Sequence, residues 1–549
     1  MKKRNNIRSG VIAIAIAVDL DFSTLAFAGD PARLVGKELD QNRELVVSVM
    51  QGRNYVVEVD QKGLIKQVVD TGANGDGTEM QQTANLTTKK DAPSTASSIE
   101  LPENYQGQYA IDHIGANLPK IAAIYGLTPD KLKDILLTDD TVRIDSNNRI
   151  FYVDNDVEQQ TGVESNVVGA TVNGASSKDP ALPMASPVML VKAFNLHSKA
   201  GANITLYLDF VGYTAENTTW SKTTVVAPPY DLGGNPAVFD NNERTNIISI
   251  WNRVSEDFIP FDIDVTTEPP STDALLRTST ADNTYGTRVV ITKSGIINRA
   301  GGGVAYVGVG NMINNTAFQP AWVFQQALAN NEKYIAEAVS HEAGHTFGLL
   351  HDGQKTATRV KPYYLGHGSD VTGWAPIMGI GYNKNLTQWS SGAYPGATNH
   401  QDDILVLEAN GIPKRTDEIG DTFATATALT NINTGGTVII QKFGIIETAN
   451  DVDMYKMNTV GGVVNITVSP AATGSNLDAQ LILYRPNGTV LTTSAPAAKL
   501  AANINKAVPA GTYYLAVRGS RHSMVGSDYG YPKYGSLGQY QVTGSYVKP

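Results

Sequence analysis

Three histidines form the pattern with the clearest chemistry in this chain of 549 residues. Residues 341–352 read His-Glu-Ala-Gly-His-Thr-Phe-Gly-Leu-Leu-His-Asp. His341 and His345 are four residues apart, so one face of a helix presents both imidazoles to a single ion. Gly348 can take a left-handed conformation, which ends the helix and brings His351 to the same point. The spacing predicts a zinc site of three imidazoles with one open position.

Glu342 follows the first of these histidines and supplies the second part of the predicted chemistry. Zinc held by three neutral ligands keeps its full charge, lowers the pKa of a bound water toward about 7 and polarises a carbonyl group. Glu342 is predicted to accept the proton of that water as general base and to deliver it to the departing amine. A single histidine is often just a hydrogen-bonded core or surface residue. The chain has only eight histidines, however, and three of them stand at these offsets.

The segment from His341 to His351 resembles the extended zinc signature of the metzincin metalloendopeptidases, and Asp352 directly after it resembles the adamalysin-like branch. The resemblance implies a methionine-containing turn downstream. Residues 375–379, Ala-Pro-Ile-Met-Gly, fit that turn. Met378 is therefore expected to form an apolar floor beneath the three imidazoles.

Two residues near this signature have roles that stay open. The carboxylate of Asp352 is expected either to orient the ligand helix or the methionine turn, or simply to be solvated. Tyr382 lies four residues past Met378, whereas astacin-like and serralysin-like enzymes place a zinc-reaching or oxyanion-stabilising tyrosine two residues past theirs. Tyr382 is thus either a catalytic residue or a solvent-facing loop residue.

Residues 301–308, Gly-Gly-Gly-Val-Ala-Tyr-Val-Gly, resemble the edge strand on which metzincins align an extended substrate antiparallel above the zinc. Exposed backbone groups of such a strand pair with the main chain of a peptide, largely independently of its side chains. The residues expected to pair in this way are Gly303, Val304, Ala305 and Tyr306. A glycine-rich strand is also typical of a bulge or a turn. The resemblance implies a protein or peptide substrate.

The chain is predicted to be multidomain. Basic residues, an apolar run from Val11 to Val18 and Ala26-Phe27-Ala28 are typical of a secretory signal peptide, which predicts an extracellular protein. The expected parts are a signal peptide (1–28), an α+β pro-region with flexible linkers (29–200), a metzincin-like α/β zinc protease domain (201–413) and a C-terminal antiparallel β-sandwich (414–549).

The expected elements follow from hydrophobic periodicity and turn residues. In the protease domain they are strands at 204–211, 262–267 and 288–292 and a helix at about 242–258. In the pro-region, strands are expected at 45–50 and 55–59, Thr128-Pro129-Asp130 predicts a helix at 131–137, and Asn147-Asn148 predicts a hairpin turn. In the sandwich, strands are expected at 437–446, 463–468, 480–484, 512–517 and 539–545.

The C-terminal part resembles a bacterial pre-peptidase C-terminal domain. The residues that carry this resemblance are Asp417-Glu418-x-x-Asp421, residues 451–455 (Asp-Val-Asp-Met-Tyr) and residues 511–517 (Gly-Thr-Tyr-Tyr-Leu-Ala-Val). Family likeness implies secretion, removal during maturation, or attachment to a polymeric substrate, and the sequence does not select among them. The last of the three segments is equally well explained as a core strand.

An exported protease must be kept inactive until it is outside the cell, and the region before residue 204 suits a pro-segment. Matrix-metalloproteinase-like enzymes block their zinc with a cysteine of the pro-segment, but this chain has none. Inhibition would therefore need an aspartate carboxylate or steric cover, which the sequence does not identify. Calcium is a second possible cofactor, at Asp402-Asp403 or Asp262-x-Asp264, although neither matches a calcium-loop pattern.

Composition excludes several classes of function. The formal net charge is −10 and no basic cluster follows the first residues, which disfavours nucleic acid as a partner. No later apolar run approaches the ~20 residues of a membrane-spanning helix. The leading hypothesis is a secreted zinc endopeptidase. The alternatives are a polymer-binding protein or adhesin with a vestigial zinc site, and a zinc amidase acting on a non-peptide polymer.

Overall fold

The computed structural model describes residues 11–13, 54–59, 65–72, 103–154, 187–221, 223–293, 301–429, 433–434, 437–522 and 530–548. The strand predicted at 45–50 lies outside these residues. The chain forms two compact units, one made of Met1–Lys89, Pro180–Phe194 and Val238–Ile248, the other of Lys90–Asp179, Asn195–Ala237 and Ser249–Pro549. In the described part of the chain, no helix has the length and apolar character needed to cross a bilayer.

The helices of the described residues are α1 Gly107–Ile114, α2 Leu118–Ile124, α3 Pro129–Thr138, α4 Pro187–Val191, α5 Asn241–Asp257, α6 Glu332–Thr346 and α7 Asp403–Ala409. The predictions of α3 and α5 are confirmed. Thr128 caps α3, because its side chain accepts a hydrogen bond from the backbone nitrogen of Lys131, and Pro129 occupies the first turn.

The first unit contains a small antiparallel sheet of β1 Val11–Ala13, β2 Asn54–Val59 and β3 Ile65–Gly72. The strand predicted at 55–59 is part of β2. Residues 11–13 are the described portion of the apolar run that predicts a signal peptide.

The strands of the second unit up to residue 400 are β4 Asn104–Tyr105, β5 Val142–Asp145, β6 Ile150–Asp154, β7 Ile204–Asp209, β8 Tyr213–Ala215, β9 Val225–Ala227, β10 Ile263–Thr266, β11 Tyr285–Thr292, β12 Gly303–Tyr306, β13 Ala321–Phe324, β14 Gln354–Lys355, β15 Val360–Lys361, β16 Trp374–Pro376 and β17 Leu386–Gln388. The strands predicted at 204–211, 262–267 and 288–292 correspond to β7, β10 and β11. The hairpin predicted at Asn147-Asn148 joins β5 to β6, with Asn148 at φ 62°.

Eight of these strands form one mixed sheet in the order β10-β7-β11-β13-β12-β6-β5-β4. The first four strands in this order, β10, β7, β11 and β13, run parallel to one another. The remaining pairings, from β13–β12 to β5–β4, are antiparallel. Three strands from the expected pro-region therefore continue the sheet of the expected protease domain. Together with α1 to α3 they form residues 103–154, which we call the N-terminal module. The core of this module includes Leu132 and Ile144 and extends to Val307 and Leu350.

The C-terminal strands are β18 Thr427–Ala428, β19 Asn433–Thr434, β20 Thr437–Ile446, β21 Asp453–Pro470, β22 Ala479–Tyr484, β23 Val490–Ser494, β24 Ala502–Gly519 and β25 Gly538–Val547. All five predicted strands are present, two of them as parts of the long strands β21 and β24. The order β19-β20-β25-β21-β24-β22-β23 is antiparallel throughout, and β18 adds a parallel pairing to β21. The division into two packed layers stays a prediction.

Candidate metal centre

Helix α6 positions two of the three histidines. The side chain of Asn331 caps the helix by accepting hydrogen bonds from the backbone nitrogens of Lys333 and Tyr334. The helix contacts β11, β12 and β13 and is buried over most of its length. His341 and His345 lie one turn apart on this rigid support, with their ring centroids 4.7 Å apart.

Gly348 brings the third histidine back to the helix. Its φ is 99°, a left-handed conformation, and a Cβ at this position would overlap the side chain of Asn410. The chain reverses here, as the sequence predicts. The ring of His351 then lies 4.9 Å from that of His345 and 5.2 Å from that of His341.

Each of the three rings is held through its Nδ1 atom. The Nδ1–H group of His341 donates to the carbonyl oxygen of Ile377 at 2.9 Å, and that of His345 donates to the carbonyl oxygen of Leu349 at 2.8 Å. That of His351 donates to the carboxylate of Asp139 at 2.9 Å. Such bonds fix the tautomer that leaves Nε2 as the metal-binding atom.

The three Nε2 atoms face one another and are buried, and none has a hydrogen-bond partner among the described residues. Buried polar atoms are normally paired, so a cluster of unpaired acceptors suits a metal ion. Burial lowers the pKa of the His341 imidazole to about 3 and also lowers that of His345. Both rings are therefore neutral, the form that binds a metal.

Asp154 is the fourth member of this group, and sequence reasoning missed it. Its Oδ1 atom lies 3.1 Å from Nε2 of His351, and its Oδ2 atom lies 3.5 Å from Nε2 of His341 and 3.6 Å from Nε2 of His345. The residue is 0% exposed. Asp154 is the last residue of β6. The sequence offered one indirect signal for its role: the chain has no cysteine to block the metal, and Asp154 is an aspartate close to the predicted hairpin.

Asp139 is a second carboxylate from the N-terminal module that sequence reasoning missed. It lies just after α3, and the backbone nitrogen of Thr141 donates to it at 3.0 Å. Burial disfavours the charged form of His351, but the carboxylates of Asp139 and Asp154 outweigh burial and raise its pKa to about 10. The electrostatics of the group thus favour a positive charge, either a proton or a metal ion.

Met378 lies beneath α6. A Cβ at Gly344 would overlap the Met378 sulfur, so glycine is what allows the two segments to approach. Two hydrogen bonds join the turn that contains Met378 to the histidine segment. The carbonyl oxygen of Ile377 holds His341, and the carbonyl oxygen of Met378 accepts from the backbone nitrogen of Asp352 at 2.8 Å.

Asp352 is only 1% exposed, so it is not a solvated surface residue. The hydroxyl group of Tyr394 donates to its carboxylate at 3.3 Å. Burial raises the pKa of Asp352 to about 7. The carboxylate therefore belongs to a buried network beside the methionine turn.

Tyr363 packs on the histidines, as Tyr152 of β6 also does. Its ring centroid is 4.4 Å from that of His351, and its hydroxyl group donates to Oδ1 of Asp154 at 2.8 Å. Tyr382 is also buried, which rules out a solvent-facing position, and its ring packs on Tyr334 at 4.7 Å. Two adjacent tyrosines lie between the zinc motif and the methionine turn, and no signal in the sequence distinguished Tyr363 from Tyr364.

The strand expected to bind substrate is β12, and all four of its residues are buried. Gly303 contacts the general-base candidate, because a Cβ there would overlap the carboxylate of Glu342. One edge of β12 pairs with β13 and the other pairs with β6. The sequence predicted that the backbone groups of this strand are exposed. That prediction is wrong for the full chain, because Val304, Ala305 and Tyr306 pair with residues of β6 in the N-terminal module.

The acidic pairs considered for calcium serve other contacts. Asp262 pairs with Lys199 at 2.5 Å and Asp264 with His197 at 2.6 Å. Asp402 caps α7, and Asp403 accepts from the backbone nitrogen of Ser390 at 2.8 Å. A different carboxylate group, formed by Asp417, Glu447 and Asp451, has the spacing that a metal ion needs. Two of these three residues belong to the segments that carry the C-terminal resemblance.

Residues 261–352 match the family described as Metallo-peptidase family M12B Reprolysin-like. Among solved structures, the chain is similar to the pre-peptidase C-terminal domain of collagenase from Bacillus anthracis, with 16% identity over 24% of this chain and 96% of that chain and a TM-score of 0.15. None of the curated proteins compared with the chain matches it. The family match ends at Asp352, so it includes the three histidines and Glu342 but not Met378.

Proposed function

Because residues 261–352 match a reprolysin-like metallopeptidase family and carry a metzincin-like histidine motif, we propose that this protein is a secreted zinc-dependent endopeptidase. The observation that carries the proposal is the convergence of three buried Nε2 atoms whose rings are each held through the other nitrogen. Three imidazoles at this spacing are a donor set suited to zinc.

His341, His345 and His351 would hold the metal, which when bound supplies Lewis acidity and a water that ionises near neutral pH. Glu342, on the same helix and against Gly303, is the proposed general base that takes the proton of the attacking water. Met378 supports the helix from below. Asp352 holds the turn in register through its backbone nitrogen.

Tyr363 is better placed than Tyr382 to stabilise charge on the substrate. Its hydroxyl group already donates to a carboxylate oxygen that lies 3.1 Å from Nε2 of His351. An oxygen of the scissile carbonyl would need a donor at the same place. Tyr382, stacked on Tyr334, would act only through packing.

Export and processing complete the proposal. The basic, then apolar N-terminus supports a signal peptide ending at Ala28, and the region up to residue 200 supports synthesis as a zymogen. The C-terminal domain would support binding to a polymer or anchoring near the substrate. Mass spectrometry of the protein secreted into culture medium tests export and processing, because it reads the mature termini directly.

The test of the activity is cleavage of a quenched peptide library by protein recovered from the medium, with Glu342→Ala as the variant. We expect a loss of about 100-fold to 10,000-fold at unchanged zinc content. Glu332→Ala, at the first turn of the same helix, is the matched control and should keep full activity. Wild-type turnover by Glu342→Ala at equal zinc content would overturn the mechanism.

The same material separates the alternatives. Binding of the whole protein to collagen, chitin or cell wall without any turnover would support an adhesin with a vestigial zinc site. Release of amines from a non-peptide polymer, with no peptide cleavage, would support a zinc amidase. Both outcomes would contradict the endopeptidase proposal.

Calcium is proposed for the acidic group of Asp417, Glu447 and Asp451. Oε2 of Glu447 and Oδ1 of Asp451 are buried and have no hydrogen-bond partner among the described residues. Carboxylate oxygens that converge in this way are the ligands calcium prefers. Calcium should raise the melting temperature of the full chain, and Glu447→Gln should abolish that shift. An unchanged shift in the variant would exclude this site.

A further inference from the structure

We propose that β6 occupies the peptide groove of its own chain and that Asp154 stands in the open ligand position of the metal, so that the full chain is self-inhibited. This inference rests on the proposed function. It names the device that keeps the site closed, which the sequence leaves undefined.

The backbone of β6 takes the place of a substrate. It pairs antiparallel with β12, from Gly303 opposite Asp154 to Tyr306 opposite Phe151. The pairing continues at both ends, where the backbone nitrogen of Gly302 donates to the carbonyl oxygen of Asp154 at 2.5 Å and that of Val307 donates to Ile150 at 3.0 Å. An extended peptide would need these same donors and acceptors, so peptide and β6 cannot bind together.

The side chain of Asp154 reaches the metal-binding atoms. Its two oxygens lie within 3.6 Å of all three Nε2 atoms, and Oδ2 has no hydrogen-bond partner among the described residues. An isolated buried carboxylate is strongly unfavourable, whereas a carboxylate that binds a cation is not. The position is explained if this carboxylate completes the set around the metal.

The side chains next to Asp154 close the groove on both faces of the sheet. Tyr152 stacks on His345, with ring centroids 4.3 Å apart and planes at 13°, and lies 3.9 Å from His351. Phe151 and Val153 point to the opposite face and belong to the core cluster that contains Trp220. Side chains of β6 therefore pack on the histidines on one face of the sheet and in the core on the other.

The N-terminal module holds β6 in place. Its core includes Val307 and Leu350, which flank the site on the protease side. The ammonium group of Lys131 donates to the carbonyl oxygen of Thr398 at 2.7 Å. Local fraying of β6 would break the core of the module, so access of a peptide to the groove requires displacement of the whole module.

The experiment measures access to the metal directly, with the full chain loaded with Co²⁺ and titrated with acetohydroxamate, a small bidentate metal chelator. The readout is the visible spectrum of the cobalt. In the wild-type chain we expect no spectral change at chelator concentrations that saturate an open site. Asp154→Ala should bind acetohydroxamate at least about tenfold more tightly and should have a different spectrum before the chelator is added.

Asp154→Asn is the second variant, since it keeps the shape of the side chain and a hydrogen-bond acceptor for Tyr363 but removes the charge. Asp140→Asn, an exposed carboxylate in the same module, is the matched control and should behave as wild type. Equal chelator affinity in wild type and both Asp154 variants would overturn the proposal. Loss of cobalt from the Asp154 variants would also overturn it, because Asp154 would then be a resident ligand.

Two further outcomes keep this proposal apart from the proposed function. If the wild-type chain binds acetohydroxamate readily, self-inhibition is wrong even if the protein cleaves peptides. If only the Asp154 variants admit the chelator but none of the proteins cleaves a peptide, Asp154 blocks the metal as proposed and the endopeptidase activity is wrong. If the Asp154 variants cleave peptides faster than the wild-type chain, both proposals are supported.

Discussion

The N-terminal module and the C-terminal domain both make buried contacts with the domain that carries the three histidines, but they contact different parts of it. The carboxylates of Asp154 and Asp139, from the N-terminal module, lie next to the histidine rings. The C-terminal domain contacts the end of helix α5 instead: Asn476 donates to the carboxylate of Asp257 at 2.7 Å, and Ser340 of helix α6 donates to the same carboxylate at 2.5 Å.

The two contacts therefore have different consequences: the N-terminal module inhibits the site, as proposed, whereas the C-terminal domain stabilises the fold. A segment in the groove competes with substrate, and it must leave for the site to work. The C-terminal contact at Asp257 lies outside the groove and does not compete with substrate, so its removal would only destabilise the fold. The C-terminal domain is therefore better understood as part of the folded protein than as an appendage that maturation discards.

The largest effect expected is that of deleting residues 417–549. Tyr531 would be lost from the cluster it forms with Tyr364, Trp374 and Tyr394, and Asp257 would lose Asn476. Exposing such a cluster and unpairing a buried acid each cost several kcal/mol. We expect insoluble protein or a melting temperature lower by more than about 10 °C, measured by calorimetry. If the truncated chain had an unchanged melting temperature, the C-terminal domain would be a removable appendage after all.

Much of this architecture could be predicted from local sequence. The histidine spacing, the break at Gly348 and the strand at 437–446 depend on residues that are neighbours along the chain. Asp154 and Asp139 could not be predicted, because they reach the site only through the pairing of β6 with β12. A single sequence contains no signal for pairing between strands so far apart. Calcium at Asp262 and Asp264 stays a prediction, but their ion pairs with Lys199 and His197 could not be predicted either, because those partners are distant in the sequence.

The second prediction concerns Tyr363, which contacts the inhibitory carboxylate and, as proposed, the substrate. In the mature protein recovered from culture medium, Tyr363→Phe should lower kcat by about 100-fold to 1,000-fold with little change in KM, because one donor to a developing oxyanion is lost. The zinc content should not change. Tyr382→Phe is the control and should keep its kcat. A larger effect at Tyr382 would reverse the assignment of the two tyrosines.

The third prediction separates the two carboxylates of the N-terminal module. Asp139→Asn should weaken zinc binding by the full chain about 10-fold to 100-fold, because the Nδ1 atom of His351 would lose its charged partner. Competition with a chromophoric chelator measures this affinity. Asp154→Ala should retain zinc, because three imidazoles remain. If both variants lost zinc to the same extent, support and inhibition could not be assigned to separate residues.

The smallest effect expected is a pH dependence of stability at the C-terminal contact. Burial, followed by the charge of Glu337, raises the pKa of Asp257 to about 8 against the opposing effects of Ser340, Asn476 and Arg253, and burial raises that of Glu256 to about 8. In the unfolded chain such acids ionise near pH ~4. Between about pH 4 and 8 the folded chain therefore binds more protons than the unfolded chain, and stability falls as the pH rises.

Asp257→Asn removes one of these two ionisable groups. It introduces an amide that can still form hydrogen bonds with Ser340 and Asn476. We expect the melting temperature of the zinc-saturated wild-type chain to fall from pH 5 to pH 8, and that of Asp257→Asn to fall less, by an amount equivalent to on the order of 1 kcal/mol. Asp140→Asn, exposed in the N-terminal module, should follow the wild type. Parallel pH profiles for wild type and Asp257→Asn would mean that this carboxylate is not the acid that couples the C-terminal domain to the ligand helix.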